Sequence, residues 1–127
     1  MSRVQINTDN APAAIGPYAQ AVKAGNTIYV SGQLPINPRT GQFPSEDIKE
    51  QTRQSIENIG AVLESDGYSY KDVVKTTVLL SDIGYFSDMN EVYAEYFDTD
   101  SPARVAFAVK DLPKGALVEI ECVAYHE

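Results

Sequence analysis

Six stretches of the chain have the composition of β-strands, and their side chains can be assigned to two faces with the period of two that strands impose. A Gly25-Asn26 pair separates the second stretch from the third and predicts a tight hairpin turn. A turn through Pro113 and Gly115 separates the last two stretches and predicts a second hairpin. The predicted strands are 4–7, 18–24, 27–32, 72–81, 104–109 and 117–125.

Two further segments have the residue spacing of amphipathic helices. Asp47 and Glu50 form a capping-box pattern at the start of the first, and Gly67 is placed to end it in the left-handed conformation. The second helix is predicted over 86–97, with an aromatic stripe typical of core packing. Asn90 lies within that stripe and is interpreted as a buried amide bonded to neighbouring backbone, with a place at the edge of a site as the alternative.

The order hairpin, helix, strand, helix, hairpin predicts one α+β domain over residues 1–127, with both helices on one face of the sheet. The other face would carry Tyr29, Leu79 and Val123 among other apolar residues, too large an apolar surface to leave in water. We therefore expect another copy of the chain to cover this face. The polar residues of the face would then line clefts at the contact between copies.

Arg104 opens an otherwise apolar strand, and a cation in that position needs an anion. The period-two pattern directs Val105 and Phe107 towards the helices, because apolar faces are expected to match. It places Arg104 on the open side of the sheet, together with Glu119 and Glu121 of the return strand. The residues alone leave two partners possible for the guanidinium, a bound ligand or one of these glutamates.

Composition and charge exclude several classes of function. The chain has 18 acidic and 10 basic residues and a net charge of −8, which opposes binding to nucleic acid or to an anionic membrane. It has neither a signal-peptide pattern nor an apolar run long enough to span a membrane, so a cytoplasmic location is expected. Cys122 is predicted to be a buried, inert thiol, and His126 to lie in a frayed terminus, which leaves no residues for a histidine metal site.

Three parts of the chain carry long and specific motifs. They are Ala14-Ile15-Gly16-Pro17-Tyr18-Ala19-Gln20-Ala21 with Val30-Ser31-Gly32-Gln33, then Val74-Lys75-Thr76-Thr77-Val78 with Met89-Asn90-Glu91-Val92-Tyr93, and finally Pro102-Ala103-Arg104, Leu112-Pro113 and Val118-Glu119-Ile120-Glu121. In these motifs the chain resembles, from end to end, the RidA (YjgF) family of reactive intermediate deaminases.

The resemblance implies a chorismate-mutase-like α+β fold, in which two helices pack on one face of a mixed sheet. It also implies a homotrimeric barrel with three sites in the clefts between subunits. The implied activity is the detoxifying hydrolysis of enamine and imine acids, such as 2-aminoacrylate and 2-iminobutanoate, to 2-oxo acids and ammonia. Pyridoxal-phosphate dehydratases release these substrates, and their hydrolysis needs no metal or organic cofactor.

Site roles follow from the resemblance, residue by residue. Arg104 matches the arginine that holds the substrate carboxylate, and Glu119 matches the glutamate that positions water. Tyr18 and Ser31 match residues that line the same pocket, where the Tyr18 hydroxyl would donate to the substrate or close the pocket. Asn90 matches a mostly structural asparagine at the substrate-binding site.

The chain departs from the family pattern at one position and leaves alternative functions open. Many members have Arg-Ser-Cys where this chain has Arg104-Val105-Ala106, so Ala106 occupies a substrate-contacting position without the thiol. One alternative is a non-catalytic trimer that binds a 2-oxo acid as a signal and regulates a partner protein. Another is the ribonuclease or translation-inhibitor activity attached to parts of the family, which the net charge of −8 opposes.

Overall fold

The computed structural model describes residues 3–127. Asp47 accepts a hydrogen bond from the Glu50 backbone N–H at 3.0 Å, so the first helix begins where the capping pattern predicted. Gly67 has a φ of +79° and lies just beyond the end of that helix, as predicted. The strands and α-helices are β1 (Arg3–Ile6), β2 (Ala21–Ala24), β3 (Thr27–Gln33), α1 (Ile48–Glu64), β4 (Val73–Leu80), α2 (Phe86–Phe97), β5 (Ala103–Ala108) and β6 (Val118–Tyr125).

The bounds of α2 agree with the prediction, whereas β2 is shorter than predicted. It begins at Ala21 rather than at residue 18, because its pairing with β1 starts at the Ile6–Ala21 pair. The residues before it include Gly16, which has a φ of +122°, and Pro17, and neither suits a paired strand. Tyr18 therefore lies in a loop.

The strands form one sheet in the order β1-β2-β3-β6-β4-β5. The predicted second hairpin is wrong, because β4 lies between β5 and β6 and pairs with both. Helix α2 carries the chain from the end of β4 back to its beginning, so β5 runs parallel to β4. This connection leaves β5 at the edge of the sheet.

The register places Arg104 and Glu119 on opposite faces. Arg104 lies opposite Thr76, whose buried hydroxyl is 2.7 Å from the Tyr93 hydroxyl of α2, so Arg104 faces the helices. Glu119 lies opposite Leu79, three residues further along β4, and points to the open face. The prediction that both side chains share the open face is therefore wrong. Its cause is that both faces of β5 are apolar, so the pattern did not fix which of them the helices cover.

Both helices pack on one face of the sheet, as predicted, and enclose the core. Ile28, Val78 and Ile120 belong to this core and are fully buried. Val105 and Phe107 were expected there too, but they lie on the open face with exposed fractions of 43% and 45%. Exposed large apolar residues on the open face are Tyr29, Val105, Phe107 and Tyr125. Over the described range 3–127, no helix has the length and apolar character needed to cross a membrane.

Candidate functional site

A cleft of about 670 Å³ opens between the loop before β2, the end of β3 and the start of β6. Three predicted site residues line it, namely Tyr18, Ser31 and Glu119. The other lining residues are Pro12, Ala13, Ile15, Gln20, Gly32, Gln33, Leu34, Ile36, Pro113, Lys114 and Glu121. The cleft thus combines apolar walls with a few polar groups, as small-molecule sites do.

Glu119 is the half-buried carboxyl group of the cleft. Burial raises its pKa above the ordinary carboxyl value, and the negative charge of Glu121, two residues along the same strand face, adds to that effect. Among residues 3–127 it takes part in none of the ion pairs. A carboxyl group whose pKa is raised keeps its proton to a higher pH than a free carboxyl group and can release it to a bound molecule.

Gly32 makes room for the Glu119 side chain. The pairing of β3 with β6 shifts between Val30 and Gln33, so Ser31 and Gly32 form a bulge opposite Glu121. A Cβ atom added at Gly32 would lie 2.0 Å from a Glu119 carboxylate oxygen and 3.0 Å from its carboxyl carbon. The bulge and the glycine therefore fix where the carboxyl group lies, and sequence reasoning did not identify Gly32 as a site residue.

The loop that carries Tyr18 is fastened by the buried side chain of Gln20. The Gln20 amide nitrogen donates to the carbonyls of Thr8 and Pro12 at 3.0 and 2.8 Å, and its Oε1 accepts from the Thr8 N–H at 2.7 Å. Tyr18 itself is 53% exposed and lines the cleft. Gln20 stood in the N-terminal motif, but its supporting role was not predicted.

Ser31 is bound to the same loop through its own hydroxyl. Its Oγ donates to the Ala19 carbonyl at 2.6 Å, and its backbone N–H donates to the Gln20 carbonyl at 2.9 Å. The hydroxyl is thus satisfied by backbone, while the residue still lines the cleft. Ser31 joins the loop to β3 and so helps to position Tyr18.

Buried polar side chains of α1 hold the opposite wall. Ser55 donates to the Gln33 carbonyl at 3.0 Å, and the Asn58 amide donates to the carbonyls of Leu34 and Ile36 at 3.1 and 2.9 Å. Sequence reasoning missed these residues because each polar side chain follows the helical period as an apolar core residue would. They fix the segment that leaves β3.

Arg104 lies away from this cleft, on the helix side of β5. Its Nη1 donates to Asn90 Oδ1 at 2.7 Å, and its guanidinium lies over the rings of Phe86 and Tyr93, 5.4 and 4.8 Å from their centroids. Asn90 therefore bonds the guanidinium and is half-buried, which corrects its interpretation as a buried amide bonded to backbone. Ala106 shares the helix-side face of β5 with Arg104 and is half-buried.

The predicted site residues thus fall into two groups in one protomer. Arg104, Asn90 and Ala106 lie at the β5 edge, whereas Tyr18, Ser31 and Glu119 lie in the cleft. Arg104 and Glu119 are two strands and three residues apart, or about 14 Å between Cα atoms at ordinary sheet spacings. One chain alone does not bring the guanidinium to the Glu119 carboxyl. No ion pair within residues 3–127 neutralises Arg104, so its charge is available to a ligand.

Comparison with known proteins decides the family. Residues 8–126 match the family described as Endoribonuclease L-PSP, which is the YjgF/RidA family. The chain belongs to this family. It is 58% identical over 122 residues to a RutC family protein of Pyrococcus horikoshii, covering 96% of this chain and 97% of the relative. It is also 49% identical to the human 2-iminobutanoate/2-iminopropanoate deaminase, over 94% of this chain and 87% of the relative.

Solved structures of the RidA family have the same fold. The crystal structure of a protein from Thermotoga maritima, described as a putative endoribonuclease, superposes with a TM-score of 0.95 at 48% identity. The superposition covers 98% of each chain. The mixed sheet with two helices on one face is therefore the RidA family fold.

The remaining chemically reactive groups of this RidA family member lie outside the cleft. Cys122 is buried, as predicted, and burial raises the pKa of its thiol to about 12, which leaves it inert. The prediction that His126 lies in a frayed terminus is wrong, because its Nδ1 lies 2.8 Å from an Asp72 carboxylate oxygen. Within residues 3–127, no three His, Cys, Asp or Glu side chains are grouped closely enough to hold a metal ion.

Proposed function

We propose that the protein is a hydrolytic deaminase of 2-imino acids and their enamine tautomers, such as 2-aminoacrylate and 2-iminobutanoate. The observation that carries the proposal is Glu119, a half-buried carboxyl group with a raised pKa that lines a cleft of small-molecule size. The human relative named 2-iminobutanoate/2-iminopropanoate deaminase supports the same activity. The products are 2-oxo acids and ammonia.

The complete site is proposed to form between copies of the chain, in a homotrimer. The exposed open face, with Phe107 and Tyr29, is an apolar surface of the kind that subunits cover. Arg104 lies on the edge strand, where a neighbouring subunit can approach it. In this arrangement the Arg104 of one subunit meets Tyr18 and Glu119 of the next, because a single protomer holds them on opposite faces.

Arg104 would orient the substrate. Its guanidinium can bind the substrate carboxylate with two charge-assisted hydrogen bonds, each contributing about 1.5–3 kcal/mol. Asn90 and the rings of Phe86 and Tyr93 hold the guanidinium plane in place without neutralising its charge. This leaves the reacting carbon of the substrate beside the carboxyl group of the neighbouring cleft.

Glu119 would then move the protons. The protonated carboxyl group gives its proton to the terminal carbon of the enamine, which forms the protonated imine (iminium ion), and becomes a carboxylate. Water adds to the C=N carbon while the carboxylate takes a proton from that water. The Glu119 carboxyl group then gives that proton to the nitrogen of the resulting carbinolamine, the C–N bond breaks and ammonia leaves, and the carboxylate takes the hydroxyl proton as the C=O bond of the 2-oxo acid forms. Tyr18 can donate a hydrogen bond at the mouth of the cleft.

A coupled assay tests this function. A threonine dehydratase generates 2-iminobutanoate, and the appearance of 2-oxobutanoate is followed with and without the protein. The protein is expected to accelerate the appearance of 2-oxobutanoate. The Arg104→Ala variant is expected to lower the rate at least about 100-fold. Arg53→Ala is a matched control, because Arg53 pairs with Glu95 on an exposed surface and is expected to leave the rate unchanged. A wild-type protein that binds 2-oxobutanoate without accelerating release would instead favour the sensor alternative.

An RNA-directed activity has less support in this chain, despite the family description. The charged residues that line the cleft are Glu119, Glu121 and Lys114, and the net charge is −8. Binding to a phosphate backbone depends on basic residues that this surface does not supply. We expect single-stranded RNA to remain intact when incubated with the purified protein.

A further inference from the structure

Lys114 occupies an unusual backbone conformation for a lysine. Its φ and ψ are +60° and +19°, and the following Gly115 has a φ of +72°. The Ala116 N–H donates across both residues to the Pro113 carbonyl at 3.1 Å. Two consecutive residues with positive φ inside such a bond form a type I′ turn, whose first central position favours Asn, Asp or Gly. A lysine at this position therefore has a higher local conformational energy than Asn, Asp or Gly would have.

The turn directs Lys114 to the entrance of the cleft. Lys114 lines the cleft that holds Glu119 and also a neighbouring cavity of about 220 Å³ beside Ile36 and Phe43. Its side chain is exposed and takes part in none of the ion pairs formed among residues 3–127. Within one protomer it is the positively charged residue among those lining the cleft, where the other charged residues are Glu119 and Glu121.

A positive charge at this position favours the entry of an anionic substrate. The net charge of −8 and the two carboxyl groups of the cleft oppose the approach of a carboxylate. Arg104 of the same protomer lies on the other face of the sheet and does not offset this field inside the cleft. A cation at the entrance raises the local concentration of anions, and its effect falls as salt screens it.

We propose that Lys114 is a specificity-determining residue of the site, which draws 2-imino acid anions into the cleft and so favours them over imines without a carboxylate. This inference rests on the deaminase function proposed above. It adds a capture role to the carboxylate binding assigned to Arg104. The type I′ turn positions Lys114 for this role.

Lys114→Asn separates the capture role from a structural one. Asparagine suits the turn better than lysine, so the variant is expected to unfold about 2–5 °C higher than wild type. It is also expected to raise KM for 2-iminobutanoate about threefold to tenfold at about 20 mM salt, with kcat within about twofold. At about 500 mM salt the difference in KM is expected to fall below about twofold. Lys114→Arg keeps the charge and is expected to keep the wild-type KM.

Lys110→Asn is the matched control. It removes the same charge from an exposed residue four positions earlier, which is not among those lining the cleft. This control is expected to leave KM within about twofold of wild type at either salt concentration. An active wild type whose Lys114→Asn variant keeps its KM, or changes KM equally at low and high salt, would overturn this inference alone. A wild type without deaminase activity would overturn the proposed function and the inference with it.

Discussion

Arg104 and Glu119 face opposite sides of the same sheet, although both stand in one continuous C-terminal motif. The Arg104 guanidinium is held by Asn90 over two aromatic rings on the helix side, and the Glu119 carboxyl lies against Gly32 on the open side. Both groups lack an ionic partner within residues 3–127. This arrangement is the basis for the proposal that two subunits share one site.

Gly32→Ala tests whether the position of the Glu119 carboxyl matters. The added methyl group would collide with a carboxylate oxygen at 2.0 Å, and the flexible end of Glu119 would have to move. We expect kcat to fall about 10-fold to 100-fold while the fold is retained, since a displacement of about 1 Å is enough for such a loss. Circular dichroism and the coupled assay measure the two effects. Gly84→Ala, at a turn outside the cleft, serves as the control and is expected to keep its activity.

The pH dependence of turnover reports the proton on Glu119. In the proposed mechanism the enamine step needs the protonated carboxyl group, so kcat is expected to fall as pH rises through the raised pKa of Glu119. Glu121→Gln removes the neighbouring charge that helps to raise this pKa, so the falling limb is expected to move to lower pH. The charged groups that share the cleft are Glu121 and Lys114, with Tyr18 at its wall. If the fall in kcat occurs at the same pH in Glu121→Gln as in wild type, a group other than Glu119 controls it.

The free energy of unfolding is also expected to depend on the ionisation of Glu119. Burial disfavours the charged form of Glu119, so its contribution to folding is present at low pH and is lost as pH rises through its raised pKa. Glu119→Gln is therefore expected to be more stable than wild type at neutral pH. The advantage should disappear as pH falls below the ordinary carboxyl range. Urea unfolding of both proteins across this pH range measures the difference, and an advantage that grows towards acid would contradict the assignment.

Gln20→Ala tests the support of the Tyr18 loop. The substitution leaves the Thr8 N–H and two loop carbonyls without their partner, at an expected cost of about 1–3 kcal/mol in the free energy of unfolding. Amide hydrogen exchange is expected to rise in residues 8–18, and KM should rise with it. Gln54→Ala, which removes a half-buried glutamine that bonds Asn58, is the control for a general loss of stability. Unchanged amide hydrogen exchange in residues 8–18 would contradict the conclusion that Gln20 holds the loop.

The elements of the fold were predictable where local chemistry decides them. Asp47 caps α1 and the apolar period of α2 predicted its bounds, because both signals depend on residues only three or four positions apart. The neighbours of β5 were not predictable, because β4 enters between β5 and β6 from a distant part of the chain. Pairing between strands that are far apart in the chain does not change the hydrophobic pattern of either strand.

The face of Arg104 was mispredicted for a related reason. Val105 and Phe107 are as apolar as core residues, yet they lie on the open face. An edge strand with apolar residues on both faces has no polar face to reveal its orientation. The N-terminal motif gave Tyr18 and Ser31, which the structure brings together with Glu119 in one cleft. Gln20 and Gly32 lie in the same motifs, but their roles depend on contacts that become visible only in three dimensions.

Mixing two inactive variants tests the shared site most directly. Arg104→Ala keeps the Glu119 side of each site, and Glu119→Gln keeps the Arg104 side. If the two residues meet across a head-to-tail interface, hybrid assemblies made by unfolding and refolding an equal mixture will contain some intact sites. Random mixing is expected to restore about one quarter of the wild-type activity in the coupled assay. Activity that stays at the level of the separate variants, although subunit exchange is verified by mass, would contradict a site built from two subunits.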